Sequence, residues 1–396
     1  MLHRSVLLLM GLVIIFALPN AKAQITDSIL HQGYQRKFMV HLPDNYQPGV
    51  ALPLVISLHG GSGNMVNAQG FSRLNPVADK NGFIVAWPQG IGSAPPGFSW
   101  ADGRNTSADQ MGIDDVGFIH ALIDTLKVRF QLDTQRIYAC GFSNGGFMVQ
   151  RLACETPERF AAMASLGSSM DTVRFQTCLP SKPVPMAFFN GTSDPAMPYE
   201  GGVMQNPQVL PVVPVDSVVQ RWVKHNSCQQ AEPVVMIPDS LAADESTAEF
   251  YRYTQCDCAA DVWFYKLING GHTWPGVYVA SQAAVLGNTN LDIDGSTELW
   301  RFFSPFKRCA ANEVGIESQT LAAFSLYPNP AENTLHIDGL FEPLTELKII
   351  LYSSTGQILA TLAGSKTIDI EFLETGLYHL QIDYRGNRIQ KRFAKH

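Results

Sequence analysis

Short apolar runs recur along the first three quarters of the chain and alternate with segments of helical spacing. Leu52–Leu58 is apolar at nearly every position, the pattern of a strand buried on both faces. Arg36–Leu42, Gly82–Trp87, Ile137–Cys140, Pro185–Phe189 and Val262–Ile268 read as further strands. Val116, Ile119, Ile123 and Leu126 fall at helical spacing behind Asp114 and Asp115, and acidic residues suit a helix N-terminus. Further helices are predicted from Gly145 to Cys154, through Val218, Val219 and Trp222 to His225, and over Ser296–Phe303. Strands alternating with helices predict βαβ units and a mainly parallel sheet, hence the α/β class.

The pattern changes after residue 309. Residues 310–320 are small and polar and read as a linker. Residues 321–396 carry short alternating segments: Thr334–Ile337, Leu347–Tyr352, Thr367–Phe372, Tyr378–Tyr384 and Arg388–Phe393. Turn residues separate them and no helix signal interrupts them, which predicts a small all-β sandwich. At the other end, His3 and Arg4 precede the apolar run Val6–Leu18, and Ala21-Lys22-Ala23 has the small-x-small form of a cleavage site. Residues 1–23 therefore read as a signal peptide, with 24–309 left as the α/β domain. No later run is apolar long enough to span a bilayer.

A net charge of −7 over 396 residues, with basic side chains scattered, points away from nucleic acid. Seven cysteines fit export to an oxidising compartment. Cys154 can pair with Cys178, and Cys228 with Cys256 or Cys258. Cys140, inside an apolar run, reads as a buried free thiol. One residue between Cys256 and Cys258 is too few for a usual zinc pair, so no metal is expected. Asn288, Asn290, Asp292 and Asp294 superficially resemble a calcium loop. Arg301 stands where the closing glutamate would be, so the segment reads as a polar loop entering a helix.

The chemistry begins at Gly141-Phe142-Ser143-Asn144-Gly145, a Gly-x-Ser-x-Gly between a predicted strand and a predicted helix. That context is what a nucleophile elbow requires. A serine hydroxyl needs a base, and the base needs an orienting acid, in the chain order Ser, acid, His. His272 follows the last strong strand in Gly271-His272-Thr273-Trp274-Pro275-Gly276. His225 reads as a helix-end histidine, while His336, His379 and His396 lie in the C-terminal segment. Asp194 follows the strand Pro185–Phe189 more directly than Asp171, Asp216 or Asp239, and Asp216 reads as a helix cap. The backbone N–H groups of Asn144 and of Gly61, in the turn His59-Gly60-Gly61-Ser62-Gly63, are the candidate oxyanion donors. That turn lacks a P-loop lysine, so phosphate binding is not expected. Trp274, Trp100 and Tyr199 are candidate substrate contacts. No organic cofactor is required.

With these residues in view, the first domain resembles the secreted feruloyl esterases and poly(3-hydroxybutyrate) depolymerase-like esterases of the α/β-hydrolase fold. The resemblance rests on Leu58-His59-Gly60-Gly61, Trp87-Pro88-Gln89-Gly90, Asp114-Asp115-Val116-Gly117-Phe118, Gly141-Phe142-Ser143-Asn144-Gly145-Gly146, Gly191-Thr192-Ser193-Asp194-Pro195, Gly271-His272-Thr273-Trp274-Pro275-Gly276 and Leu299-Trp300-Arg301-Phe302-Phe303, in order. It implies hydrolysis of carboxylic esters through a serine acyl-enzyme, with an ester of a plant polysaccharide or a polyester as substrate. Acetyl-xylan and general short-chain esterase activities stand as alternatives, as does a non-catalytic glycan-binding surface protein. Asn190 departs from the histidine often found there in the family. The last segment resembles the type nine secretion sorting domains through Leu326-Tyr327-Pro328-Asn329-Pro330, Tyr352-Ser353-Ser354-Thr355-Gly356, Gly376-Leu377-Tyr378 and the basic end Lys391–Lys395. It implies secretion machinery as a partner and an extracellular or cell-surface location.

Overall fold

Leu54, Ile56 and Leu58 pack into one apolar core while Val55, between them, packs into a second. The continuous apolar run is thus a strand with both faces covered. The computed structural model describes residues 24–94, 97–204, 209–309, 325–338, 344, 347–353, 358–384 and 387–396. The signal peptide, the linker and the Ser354–Gly356 turn expected from the sequence lie outside the described residues. Two compact units are present, Met1–Ala311 and Asn312–His396.

In the first unit the strands are β1 (Gln24–His31), β2 (Tyr34–His41), β3 (Leu52–Leu58), β4 (Ile84–Pro88), β5 (Ile91–Ala94), β6 (Gly97–Ser99), β7 (Leu132–Phe142), β8 (Ala162–Leu166), β9 (Met186–Gly191), β10 (Gln230–Ala231), β11 (Val235–Ile237), β12 (Thr247–Thr254) and β13 (Val262–Ile268). The main sheet runs β1-β2-β4-β3-β7-β8-β9-β13-β12-β10, with β11 also on β12. From β4 to β13 every pair is parallel, and the flanks are antiparallel. This is the expected α/β fold class. β5 and β6 form a separate hairpin.

The helices are α1 (Met65–Ser72), α2 (Leu74–Asn81), α3 (Ser107–Gln110), α4 (Asp115–Arg129), α5 (Asn144–Glu155), α6 (Thr172–Thr177), α7 (Val215–His225), α8 (Ala280–Leu286) and α9 (Gly295–Phe303). Ile119, Leu122, Met148, Leu152, Val218 and Trp222 of α4, α5 and α7 cover one sheet face. Leu74, Ala78, Leu299, Phe302 and Phe303 of α2 and α9 cover the other. Asp114 caps α4 through Gly117 N, and Asp294 caps α9 through Thr297 N. The polar loop before α9 thus ends in a helix cap. Among the described residues no group of three or more His, Cys, Asp or Glu could hold a metal. None of their helices is long and apolar enough to cross a membrane.

Disulfides join Cys154 to Cys178, Cys228 to Cys256, and Cys258 to Cys309. The last pairing bridges 51 positions and was not legible in the spacing. Cys140 is free and buried, and burial pushes its thiol up to about 12.

In the second unit, strands β14 (Ser325–Tyr327), β15 (Thr334–Asp338), β16 (Lys348–Tyr352), β17 (Ile358–Ala363), β18 (Thr367–Asp369), β19 (Gly376–Tyr384) and β20 (Asn387–Lys395) form two antiparallel sheets, β14-β15-β18 and β17-β16-β19-β20. Leu335, Ile337 and Ile368 of one sheet share a core with Ile349, Leu351, Leu380, Ile382 and Phe393 of the other. The expected strand Thr367–Phe372 stops at Asp369, where Ile370 N turns to bond Asn333 O.

Candidate active site

Ser143 is the single residue between the end of β7 and the start of α5, and it holds φ 55° and ψ −121°. A non-glycine residue there costs about 1–3 kcal/mol, and the flanking packing must hold it in place. Ser143 N donates to Leu166 O at 2.8 Å, and Phe147 N donates back to Ser143 O at 3.0 Å. The two motif glycines allow the crossing. A Cβ on Gly141 would overlap the Gly145 carbonyl, and one on Gly145 would overlap the Leu58 carbonyl. The turn therefore lies flush against the end of β3, at the carboxyl edge of the sheet where α/β folds place their sites.

The glycine-rich turn after β3 faces α5: a Cβ on Gly61 would lie 3.6 Å from the Asn144 Cβ. Asn144 occupies the first position of its helix, where an amide has no intrahelical acceptor. Its side chain is fully engaged. Oδ1 accepts from Trp100 N at 2.7 Å, and Nδ2 donates to Asp102 Oδ2 at 2.6 Å. Asp102 is also gripped by Arg104 and is buried. His59 fixes the other side of the turn. Its Nε2 accepts from Gly90 N at 2.9 Å, so Nδ1 carries the proton and donates to Gly60 O at 2.7 Å. Burial, the dominant cause, lowers the His59 pKa to about 4, so the ring is neutral at ordinary pH.

On the opposite side, β9 and β13 lie in register with Gly191 beside Leu267. Their two following loops are therefore adjacent. Ser193 N donates to Gly270 O at 2.9 Å, and Gly191 approaches Gly270 so closely that a Cβ would overlap its carbonyl. Within this contact His272 Nδ1 lies 2.6 Å from Asp194 Oδ2. Asp194 Oδ1 accepts from Ala196 N at 2.8 Å and Met197 N at 2.7 Å, which fixes the carboxylate. The imidazole packs on Phe142 with ring centres 4.7 Å apart.

Ser143 and His272 line one cavity of about 230 Å³, together with Gly60, Gly61, Phe71, Phe142, Trp274 and Leu286. Trp274 is 2% exposed and donates Nε1 to Ser296 Oγ at 3.1 Å. The other two aromatic candidates are not brought to this cavity. Trp100 is fully buried and donates Nε1 to His59 O at 2.9 Å, so it braces the glycine turn from behind. Tyr199 is buried with its hydroxyl on Asp216 Oδ1 at 2.8 Å. Asp216 lies in the first turn of α7 rather than at the cap, which is Pro214.

Asn190 ties the end of β9 to the loop after β8 through Ser168 O at 2.9 Å. Gly167, in that same loop, was not singled out from the sequence. At φ 54° a Cβ there would lie 2.9 Å from the Phe142 ring and 3.3 Å from the His272 imidazole. The available signal was a glycine directly after a buried run of small residues, Ala161–Leu166.

Residues 69–192, which include Ser143, match the prolyl oligopeptidase family, and residues 325–396 match the secretion system C-terminal sorting domain. The chain is a serine hydrolase of the α/β-hydrolase fold. The hydrolase is 29% identical over 241 residues to feruloyl esterase B of Piromyces equi, covering 60% of this chain and 42% of that protein. It is 26% identical over 250 residues to the bifunctional acetylxylan esterase/xylanase XynS20E of Neocallimastix patriciarum, covering 63% and 32%. It is 26% identical over 255 residues to feruloyl esterase C of Emericella nidulans, covering 63% and 80%. The hydrolase thus spans less than half the length of the first two relatives. Its sorting domain marks it as a secreted protein.

Proposed function

We propose that this hydrolase is a secreted serine carboxylesterase acting on esters of plant polysaccharides, in the manner of a feruloyl esterase. The observation that carries the reading is the shared cavity: Ser143, held on its strained turn, opens on the same space as the imidazole oriented by Asp194. In this mechanism His272 Nε2 takes the Ser143 proton as Oγ attacks the ester carbonyl. Asp194 holds the Nδ1–H tautomer and stabilises the imidazolium. The N–H groups of Asn144 and Gly61 bind the oxyanion, aided by the N-terminal end of α5. Collapse expels the alcohol with the proton from His272. Water, deprotonated by the same imidazole, then releases the acid and restores Ser143.

The cavity wall of Phe71, Phe142, Trp274 and Leu286 suits an aromatic acyl group. The names of the relatives favour the same class. Residues 1–23 serve as a signal peptide in this reading, residues 310–320 as a linker, and the type nine secretion machinery engages residues 321–396. The match of residues 69–192 to the prolyl oligopeptidase family favours a peptidase as the second reading. Methyl ferulate, p-nitrophenyl acetate, hydroxybutyrate oligomers and a proline-containing peptide, assayed side by side, separate the readings. Ferulate release is expected. Turnover of hydroxybutyrate oligomers or peptide without ferulate release would replace the proposal.

A further inference from the structure

A second cavity, of about 450 Å³, lies beside the first. Two observations join them. Asn67 lines both cavities. Phe98, which lines the second, donates its backbone N–H at 3.0 Å to the carbonyl of Gly63, which lines the first. The hairpin carrying Phe98 is clamped to the glycine turn, because Gly97 sits where any Cβ would overlap the Ser62 carbonyl. The Phe98 backbone is therefore fixed relative to the mouth of the Ser143 cavity, and the residue is 40% exposed.

The remaining lining is mixed, with Met65, Val66 and Ile91 as apolar neighbours in the cavity wall. Gln35, Lys37, Asn64, Asn67 and Gln89 supply its polar side chains. Asn64 and Gln89 commit their only side-chain oxygens to backbone amides of α1, and the Gln35 oxygen accepts from Ser28 Oγ, so these three offer NH2 donors while Asn67 offers both senses. Lys37 and Asn67 are exposed, and among the described residues Lys37 forms no ion pair. Amides can donate and accept at once, and the ammonium donates. An exposed ring and aliphatic neighbours beside donors and the Asn67 carboxamide match a sugar, whose C–H face is apolar and whose hydroxyls ring its edge. A polyester chain, whose backbone only accepts, would match the donors but leave the Asn67 side-chain oxygen without a donor.

We propose that this second cavity is the subsite for the sugar on the alcohol side of the ester, with Phe98 as its stacking platform and Asn67 at the junction. This inference rests on the polysaccharide-ester reading of the Ser143 cavity.

The test uses the full chain in two assays. In the first, Ser143→Ala protein is titrated calorimetrically with arabinoxylan oligosaccharides, alone and with Phe98→Ala or Lys37→Ala added. Binding is expected, weakened about tenfold by loss of the ring. In the second, kcat/KM for a feruloylated arabinoxylan oligosaccharide is divided by kcat/KM for methyl ferulate. Phe98→Ala and Asn67→Ala are each expected to lower this ratio about tenfold, mainly through KM. Oligosaccharide binding that ignores both Phe98→Ala and Lys37→Ala, or a ratio that neither variant moves, overturns the subsite. Absence of ferulate release by the wild type, with ring-dependent oligosaccharide binding intact, overturns the acyl reading and leaves the sugar subsite standing.

Discussion

Nδ1 of His272 lies 2.6 Å from Oδ2 of Asp194, across 78 positions of sequence. Two neighbouring parallel strands end in adjacent loops, and this brings the pair together. The other carboxylate oxygen is fixed by two backbone amides, so Asp194 cannot turn away from the ring. Asp194→Asn keeps the shape but offers no charge to the imidazolium and permits the wrong tautomer. The expected loss in kcat is on the order of ten thousandfold, with KM little changed, read from steady-state kinetics on methyl ferulate.

Gly167 sets the space for that imidazole. Gly167→Ala places a methyl group 3.3 Å from the ring and 2.9 Å from Phe142, at a φ that alanine resists. A shifted base costs about a hundredfold in kcat. A melting temperature that falls while kcat is unchanged would mean that the glycine serves the fold alone.

His59 gives the fold a pH dependence with a definite sign. Its pKa is about 4 in the folded chain against an ordinary 6.5. Between these values the unfolded chain binds more protons, so stability rises with pH across this window. The contribution is fully present above 6.5 and is lost as pH falls towards 4, by roughly 3 kcal/mol. His59→Gln can still accept from Gly90 and donate to Gly60 but does not titrate. Urea melts from pH 4 to 7 should show a smaller loss for the variant than for the wild type.

The Cys154–Cys178 bridge joins the end of α5, which begins at the nucleophile turn, to the end of α6. With the cysteines 24 positions apart in sequence, its loss costs about 3 kcal/mol. The double variant Cys154→Ser/Cys178→Ser should melt roughly 5–10 °C lower. Calorimetry of the two proteins checks this.

Strands whose apolar runs are buried on both faces were legible to the residue: Leu52–Leu58 and Val262–Ile268 begin and end as expected. The motif glycines likewise announced a turn at Ser143, because only a close backbone crossing needs them. Helices α1 and α2 were not read. Met65–Ser72 buries only Ala68 and Ser72, so its apolar stripe is faint. The placement of Trp100 was also beyond local pattern. A tryptophan among the motifs reads as a substrate contact, but this indole is spent on the His59 carbonyl, 41 positions away. The Cys258–Cys309 pairing and the clearance at Gly167 have the same origin, since both arise from contacts between segments distant in sequence.

The most direct measurement is covalent. The wild-type chain and Ser143→Ala are treated with a serine-reactive phosphonate and digested, and the peptide carrying residue 143 is weighed while methyl ferulate hydrolysis is followed in parallel. The mechanism predicts one adduct, on Ser143, with hydrolysis abolished as labelling completes and absent in the variant. An unlabelled Ser143 in a protein that still turns over the ester, or hydrolysis that survives in Ser143→Ala, would contradict it.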